Sequence, residues 1–314
     1  MLDVRRLRLL RDLDRLGTIA AVAAAHTYTP SAVSQQLAAL EREAGVALLE
    51  RTGRRVTFTP AGQVLARHAE TVLAALEEAG AALAAVRSGP AGPLRIGAYP
   101  SAMRAVLPAA LVALGRDHPA LELMVTELDP AAVPAALRER RLDAGLVNDY
   151  DIAPAPADTD LDTVPLLDET VHLAVPSSVP AATIADLRDQ PWILASPGTL
   201  CHEVTLRVCR AAGYTPRVRH HADDFTAVLA LVAAGQGVSL VPEIAAGRPP
   251  GSLRLITAPT RRRTRIAFRR GTGGHPAIAA LITALRTSQL GPAGADLQVA
   301  EVPFGHPAPK EPQT

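Results

Sequence analysis

Residues 220–224, HHADD, contain the side-chain types that most often bind metal ions, imidazoles and carboxylates. His220 and His221 are neighbours in a segment that looks like a strand, so their side chains point to opposite faces and are poorly placed to share one ion. The alternative is a strand that leads into a helix capped by Asp223 or Asp224. We therefore expect neither a metal site nor any other cofactor.

The two cysteines, Cys201 and Cys209, lie only eight residues apart and could form a redox pair. If the segment is helical, eight residues span about 12 Å along the axis, whereas a disulfide needs Cα atoms within about 7 Å. Bridging would therefore require local unfolding. The alternative is that both are side chains of a core or a cleft wall.

Motifs of common enzyme classes are missing from the sequence. There is no G-x-S-x-G nucleophile elbow and no P-loop, and GQGVSL lacks the third glycine of G-x-G-x-x-G. We expect a protein that is not an enzyme. A hydrolase or transferase activity in the C-terminal part is a weaker alternative.

Residues 27–46, TYTPSAVSQQLAALEREAGV, predict a helix with one apolar face and one short polar face. Thr29 is placed to cap this helix, and Pro30 suits its first turn. The apolar stripe consists of Val33, Leu37 and Leu40. The opposite face carries Ser31, Ser34, Gln35 and Ala38. Such side chains can approach base edges closely, and a glutamine can bind adenine through two hydrogen bonds.

A second short helix is predicted at residues 18–26, TIAAVAAAH, separated from the first by residues 27–29. Two short helices joined by a three-residue turn are typical of helix-turn-helix proteins, whose second helix enters the major groove of DNA. The alternative is an ordinary helical pair. The following ERTGRRVTFTP predicts a small hairpin. Its arginines, Arg51, Arg54 and Arg55, are placed to contact phosphate, or are simply solvated.

A longer helix is predicted to begin at Pro60 and to continue to about residue 88. Its apolar positions alternate four and three residues apart, as in a two-stranded coiled coil: Leu65, Ala69, Val72, Leu76, Ala79, Leu83 and Val86. We expect Leu65, Val72, Leu76 and Leu83 to hold two copies of the chain together. The alternative is a helix packed on its own domain. SGPAGP, residues 88–93, ends this segment.

After Pro93 short apolar strands alternate with helical stretches, which is typical of α/β domains with mostly parallel sheets. Residues 93–290 are too many for one small sheet and suit two subdomains. Residues 291–314 are rich in proline and lack helical periodicity, so we expect a disordered tail.

The bulk properties limit the location and the partners of the protein. A net charge of +1 over 314 residues requires any nucleic-acid surface to be local, and the first sixty residues hold nine arginines against six acids. Two cysteines, no secretory leader and no long apolar run together predict a cytoplasmic protein that is not in the membrane.

Residues from about 7 to 62, including SAVSQQLAALEREAGVALLERTGRRVTFTPAG, resemble the winged helix-turn-helix of LysR-type transcriptional regulators. The resemblance continues through LRIGAYPSAMRAVLPAAL, RLDAGLV, QPWILASPGT, AAGYTPRVRHHADDF and LVAAGQGVSLVPE, and so covers roughly residues 1–290. It implies an N-terminal all-α winged helix-turn-helix with a long linker helix, followed by an α/β effector domain. That domain has the two-lobed architecture of type 2 periplasmic binding proteins.

The domain boundaries that follow from this resemblance are residues 1–60 for DNA binding, 61–92 for the linker and dimerisation helix, and 93–290 for the effector domain. Lobe I takes about residues 93–164 and 265–290, and lobe II about 165–264. The chain would cross between the lobes near Pro165 and again between Arg263 and Arg265.

The resemblance implies a bacterial regulator that binds a pseudo-palindromic operator in double-stranded DNA as a homodimer or homotetramer and responds to a small molecule. We expect Gln35 to read a base and Arg54 to hold a phosphate. The chief alternative is a small-molecule binding module of the solute-receptor type whose N-terminal helices serve only dimerisation.

This sequence departs from the family pattern at two positions. Many members carry arginine where Gln35 stands, and an aliphatic residue where His26 stands. The peroxide-sensing branch has a cysteine pair near residue 200. Aligning on AAG matches Cys209 to the second cysteine of that pair, whereas Cys201 falls one residue away from the first.

A small anionic effector is expected where strands lead into helix starts, because unpaired N–H groups collect there. Ser101 follows one such strand, and Ser196 and Thr199 follow another. The resemblance implies that the two starts face one cleft, with Thr126 and Asp223 also placed to touch the effector. The alternative is that the serines only cap helices.

Overall fold

The computed structural model describes residues 1–52, 55–87, 89–154, 158–247 and 251–289. Three parts follow one another along the chain: a small helical domain with a two-stranded hairpin, one long helix, and an α/β domain built around a six-stranded sheet. The predicted disordered tail, residues 291–314, lies outside the described residues.

The N-terminal domain packs three helices and a hairpin around one apolar core. Its elements are α1 (Val4–Leu16), α2 (Ile19–Ala25), α3 (Pro30–Ala44), β1 (Leu49–Thr52) and β2 (Arg55–Phe58). Asp3 caps α1 by accepting from the N–H groups of Arg5 and Arg6. α1 ends at Gly17, whose φ of 72° is a left-handed conformation that glycine adopts without strain. Val33, Leu37 and Leu40 of α3 are buried in this core together with leucines of α1.

The long helix α4 (Pro60–Arg87) begins at Pro60, the predicted start. Thr59 precedes it, and the hydroxyl of Thr59 accepts a hydrogen bond from Gly62 N at 3.0 Å. One face of α4 is buried: Ala66, Ala69, Leu73 and Ala81. This face packs against α1 and the C-terminal domain.

The C-terminal domain begins with elements that alternate between strands and helices. They are β3 (Gly92–Ala98), α5 (Pro100–Ala105), α6 (Leu107–Asp117), β4 (Leu121–Glu127), α7 (Val133–Arg138), β5 (Ala144–Tyr150) and β6 (Leu161–Pro176). The remaining elements are β7 (Pro191–Leu194), α8 (Leu200–Ala211), β8 (Arg217–His221), α9 (Phe225–Ala233), β9 (Ser239–Pro242), α10 (Glu243–Ala246), β10 (Leu253–Arg269) and α11 (Pro276–Gln289).

Two long antiparallel strands, β6 and β10, connect two lobes. The main sheet has the order β4-β3-β5-β10-β6-β9, and β7 pairs in parallel with β8 in a separate small sheet. Lobe I forms its core from β3, β5, α6 and α11. Lobe II forms its core around the fully buried Trp192. Pro165 of β6 lies opposite Arg265 of β10, and the register of the pair shifts between Thr264 and Arg265.

Candidate functional site

The exposed face of α3 carries the short polar residues predicted to meet DNA. Pro30, Ser31 and Gln35 are exposed, while Ser34 and Ala38 are half-buried. Thr29 caps the helix, because its hydroxyl accepts from Ala32 N at 3.2 Å. The three-residue turn before α3 contains Thr27 in a left-handed conformation, with φ of 56°. This arrangement presents serine and amide groups on a helix that is fixed from below by its buried stripe.

The predicted wing forms as the hairpin of β1 and β2, with Leu49 opposite Phe58. The backbones of Arg51 and Arg55 belong to its two strands. Arg54 and the side chains of the other two arginines lie outside the described residues, so the phosphate contacts stay predictions.

His26 lies at the end of α2 and is bound to the buried Asp12 of α1. The distance from His26 Nε2 to Asp12 Oδ2 is 2.6 Å. Asp12 also accepts from Arg11 Nε at 2.8 Å. The polar contacts explain how a histidine can stand where family members carry an aliphatic residue.

The predicted seam of α4 divides into a buried and an exposed part. Leu65 is half-buried and packs on the N-terminal core, and Ala69 is fully buried there. Val72, Leu76 and Leu83 are exposed by 42%, 49% and 68%. An apolar stripe therefore faces outward along α4 from Val72 onward.

A cavity of about 1450 Å³ lies between the two lobes and continues to the N-terminal domain. Lobe I contributes Ser101 and Asn148 to its wall, and lobe II contributes Thr199, Cys201 and Asp223. α1 closes one end with Arg8, Asp12 and Arg15. The volume is ample for a small organic molecule.

Arg262, which belongs to a fully buried ion pair, lines the cavity. Arg262 of β10 is 1% exposed, and its Nε donates to Glu169 Oε1 at 2.8 Å. Its guanidinium lies 5.0 Å from the centre of the Tyr99 ring, and its Nη2 donates to Ser101 Oγ at 3.4 Å. Burial alone would lower the pKa of Arg262, but the neighbouring Tyr99 and Glu169 raise it above its usual value. The third nitrogen, Nη1, takes part in none of these bonds.

The predicted effector residues separate into two groups. Ser101, Thr199 and Asp223 line the cavity, whereas Ser196 and Thr126 are outside its lining. Thr126 is exposed on the edge strand β4. Both the backbone N–H and the hydroxyl of Ser196 donate to Asp223, each at 2.7 Å. Thr199 caps α8 by accepting from His202 N at 3.3 Å.

The segment HHADD runs from the end of β8 into α9. Asp224 caps α9 by accepting from Thr226 N and Ala227 N. Its other oxygen accepts from Arg104 of α5 at 2.8 Å, which links the two lobes. In the described ranges no group of three histidines, cysteines or acids is arranged to hold a metal ion.

Both cysteines belong to α8, and both thiols are free. Cys201 Sγ lies 3.5 Å from the hydroxyl of the buried Tyr150. Burial raises the pKa of Cys201, and it raises the pKa of Cys209 to about 11. Neither sulfur is therefore a thiolate at neutral pH, which is the reactive form of cysteine.

Sequence reasoning missed Arg262, Glu169 and Tyr99. The signal for Arg262 is its position in a strand: Thr260, Arg262 and Thr264 are buried at every second position, while the intervening Arg261 and Arg263 point outward. A run of three arginines looks like a solvent-exposed strand unless the alternation of buried and exposed positions is taken into account.

Comparison with known proteins places both parts of the chain in one family. Residues 4–63 match the family model described as bacterial regulatory helix-turn-helix protein, lysR family, and residues 87–289 match the LysR substrate binding domain. A probable hydrogen peroxide-inducible genes activator from Mycobacterium avium is 34% identical, covering 82% of this chain and 86% of its own length. The transcriptional dual regulator GltC of Bacillus subtilis is 28% identical, covering 77% and 81%.

Among solved structures, a mutant of OxyR from Corynebacterium glutamicum is similar over most of its length. Its TM-score is 0.56 and its sequence identity 26%, with 94% of this chain and 93% of the other chain covered. Separately, none of the helices in the described ranges is both long enough and apolar enough to cross a membrane.

Proposed function

The chain belongs to the family of LysR-type transcriptional regulators, and on that premise we propose how it reads DNA, dimerises and responds to a small molecule. It is a DNA-binding transcriptional regulator with an effector-binding domain. The match of residues 4–63 to a DNA-binding family favours this function over a solute receptor whose N-terminal helices serve only dimerisation.

The exposed polar face of α3 is the observation that carries the proposal. Ser31, Ser34 and Gln35 contact base edges in the major groove, and Arg51, Arg54 and Arg55 of the wing contact phosphates. The fully buried Val33 and Leu40 support this assignment, because they leave only this side of α3 free to approach DNA. The operator is pseudo-palindromic because a two-fold dimer presents two such helices.

The apolar stripe of α4 joins two copies of the chain. Val72, Leu76 and Leu83 are exposed as a row on one helix, and burying such a row between two helices removes it from water. Leu65 belongs to the core of its own domain as well, so the contact between copies centres on the C-terminal two thirds of α4.

The effector is a small carboxylate that binds between the lobes beside Arg262 and Ser101. Arg262 Nη1 is free of the bonds to Glu169 and Ser101, and a guanidinium is suited to carboxylates. Asp223 on the opposite wall would repel a second carboxylate and accept a hydrogen bond instead. We therefore propose an effector with an anionic group at one end and an N–H or O–H donor at the other.

The names of several relatives raise peroxide sensing as a second candidate. The relative from Mycobacterium avium is named as a peroxide-inducible activator, and this chain also has two cysteines on α8. The raised pKa values of both thiols weigh against this candidate. We propose that binding of the effector, and not oxidation of Cys201, is the signal.

The comparison proteins are regulators, and we propose that this chain acts by binding alone, without a cofactor, on chromosomal DNA in the cytoplasm. A gel shift with the intergenic DNA upstream of its own gene tests the function. The full-length protein should retard this fragment and leave a scrambled fragment of equal length unshifted. Equal retardation of both fragments, or of neither, would contradict the proposal.

The effector class is tested by a thermal shift of the full-length protein with small carboxylates and their primary amides. Carboxylates that stabilise the protein should lose this effect as amides, and also in the Ser101→Ala variant. Stabilisation by the amides alone would rule out an anionic effector at Arg262.

A further inference from the structure

A small cavity lies where α1 and α4 meet lobe I, next to the cavity between the lobes, with which it shares Arg8, Arg138, Arg140 and Asp160 in its lining. Lobe I approaches α4 closely here, because a Cβ atom at Gly271 would lie 2.3 Å from Ala74 O. The cavity measures about 40 Å³, while a single water needs roughly 10 to 15 Å³. It can therefore hold a group of a few heavy atoms, such as a tetrahedral oxyanion.

Positive charge dominates the wall of this cavity, which we call the arginine pocket. Its charged residues are Arg8, Arg11, Arg138, Arg140, Arg269, Arg270, Glu70, Glu77 and Asp160. The three acids are already used: Arg15 binds Glu70 and Asp160, and Arg140 binds Glu77. Acids beside the lining also pair with its arginines: Asp12 with Arg11, Asp158 with Arg138 and Asp162 with Arg270. Arg8 is the arginine of the lining that forms no ion pair among the described residues.

Two donors around the arginine pocket have no hydrogen-bond partner among the described residues. Arg269 Nε and Arg15 Nη1 are buried without a hydrogen bond. Glu77 Oε2 lies 3.9 Å from Arg269 Nε, which is too far for a hydrogen bond. Arg269 cannot turn away to find another, because its Nη1 donates to Leu137 O and Leu142 O. Buried donors of this kind are usually satisfied by an ion or a water.

The same arginines repel one another. Burial, together with Arg140 and Arg11, lowers the pKa of Arg8, which forms no ion pair within the described part of the chain. Burial, together with Arg11 and Arg138, lowers the pKa of Arg15 to about 10. With a pKa of about 10, Arg15 is protonated at neutral pH, and arginine side chains such as Arg8 keep their charge in proteins, so a bound anion would relieve the repulsion.

We propose that the arginine pocket binds a phosphate-type oxyanion, which fastens the N-terminal domain and α4 to lobe I. Guanidinium groups bind phosphate oxygens through paired hydrogen bonds. A phosphate dianion offers more negative charge and more acceptor oxygens than the single carboxylate assigned to the cavity between the lobes. The anion is inorganic phosphate or the phosphate group of a small metabolite, since both present the same chemistry to the pocket.

Isothermal titration calorimetry of the full-length protein tests this site. Potassium phosphate is titrated at constant ionic strength, with potassium chloride as the reference salt. Arg8→Gln removes one charge without breaking an ion pair and should weaken phosphate binding about tenfold. Arg5→Gln is the matched control, because Arg5 is exposed on the same helix, forms no ion pair among the described residues and lies outside the pocket.

Three results would overturn the site: no phosphate binding, chloride binding as strong as phosphate binding, or equal weakening in the two variants. Glycerol 3-phosphate and adenosine monophosphate separate the two sources of the anion. If either compound binds more tightly than inorganic phosphate and its binding depends on Arg8, the natural ligand is a phosphorylated metabolite. If neither binds more tightly than inorganic phosphate, the natural ligand is the free ion. The gel shift with upstream DNA, performed without phosphate, tests the proposed regulator independently.

Discussion

Neighbouring residues on α3 differ sharply in what they can contact. Gln35 and Gln36 are both exposed, but Gln36 Oε1 accepts a hydrogen bond from Arg6 Nε of α1 at 2.9 Å. We predict that Gln35→Ala costs about 1 to 3 kcal/mol of binding at one base position of the operator. Gln36→Ala is the matched control and should leave base preference unchanged. The measurement is a gel shift against operators with single base changes, and a uniform loss over all of them would contradict base reading by Gln35.

Two adjacent acids of β6 form ion pairs that differ in burial. Glu169 is fully buried with Arg262, whereas the pair of Asp168 with Arg261 is over a third exposed. Glu169→Ala should lower the free energy of unfolding by about 3 to 5 kcal/mol, because it leaves a buried cation unpaired. Asp168→Ala should cost about 1 kcal/mol or less. Urea unfolding followed by the single tryptophan, Trp192 in lobe II, measures both. Similar losses in the two variants would show that Arg262 finds other compensation.

The cysteines give a chemical test of the signal. We predict that hydrogen peroxide leaves DNA binding by the protein unchanged, because burial keeps both thiols protonated. Gel shifts with and without peroxide, on the wild type and Cys201→Ser, provide the measurement. A peroxide effect that disappears in Cys201→Ser would instead establish a redox signal.

Sequence patterns located α3 and its polar face correctly because they depend on local spacing. The buried stripe of Val33, Leu37 and Leu40 is visible in the sequence as a helical period. The surroundings of Arg262 come from residues far apart in the chain, such as Tyr99 and Glu169, and no local spacing encodes that meeting. For the same reason the hydrogen bonds that Ser196 donates to Asp223 could not be predicted.

At the scale of elements, the exposed apolar stripe of α4 is the surface that we propose joins two copies of the chain. Leu76→Arg should place a charge in the stripe of Val72, Leu76 and Leu83 and give monomers in analytical ultracentrifugation. Thr71→Arg adds the same side chain at another exposed position of α4, outside the stripe, and should leave the oligomer intact. A stable oligomer in the Leu76→Arg variant would place the interface elsewhere.

The start of α4 and the position of the hairpin follow from local sequence signals. Which apolar side chains of α4 are buried does not. A proline after a capping threonine marks the start at Pro60. The four-three spacing predicts an apolar seam but does not indicate which residues or which partner cover it. Leu65 and Ala69 pack on α4's own domain, and only from Val72 onward is the seam exposed.

At the scale of the whole molecule, the link between Arg104 and Asp224 joins lobe I to lobe II. Desolvation would raise the pKa of Asp224, but hydrogen bonds from Arg104, Ala227 and Thr226 lower it to about 2. Because this pKa lies below the ordinary value of 3.8, the stabilisation is fully present above pH 4 and is lost as the pH falls toward 2.

The variant Asp224→Asn tests this pH dependence, since asparagine caps a helix about as well as aspartate. Its stability deficit against the wild type, measured by urea unfolding, should be larger at pH 6 than at pH 3. Arg104→Gln should show the same trend. A deficit that is equal at both pH values would mean that the charge of Asp224 contributes nothing.

The general plan of the molecule, with its three parts and two lobes, could be predicted, because each part has its own periodicity and resembles a known family. The contact of α1 and α4 with lobe I could not. It depends on ion pairs between distant segments, such as Arg15 with Asp160 and Arg140 with Glu77. Those residues look like ordinary surface charges in the sequence.

The paired strands β6 and β10 also determine how the molecule can deform. Because both strands continue through both lobes, the connection behaves mechanically like a two-stranded ribbon, which resists stretching and in-plane bending far more than torsion. Its weak points are the two register shifts, between Thr257 and Arg261 and between Thr264 and Arg265. An effector that draws the lobes together would therefore twist one lobe against the other about the ribbon axis, and the sense of that rotation would be transmitted to α4.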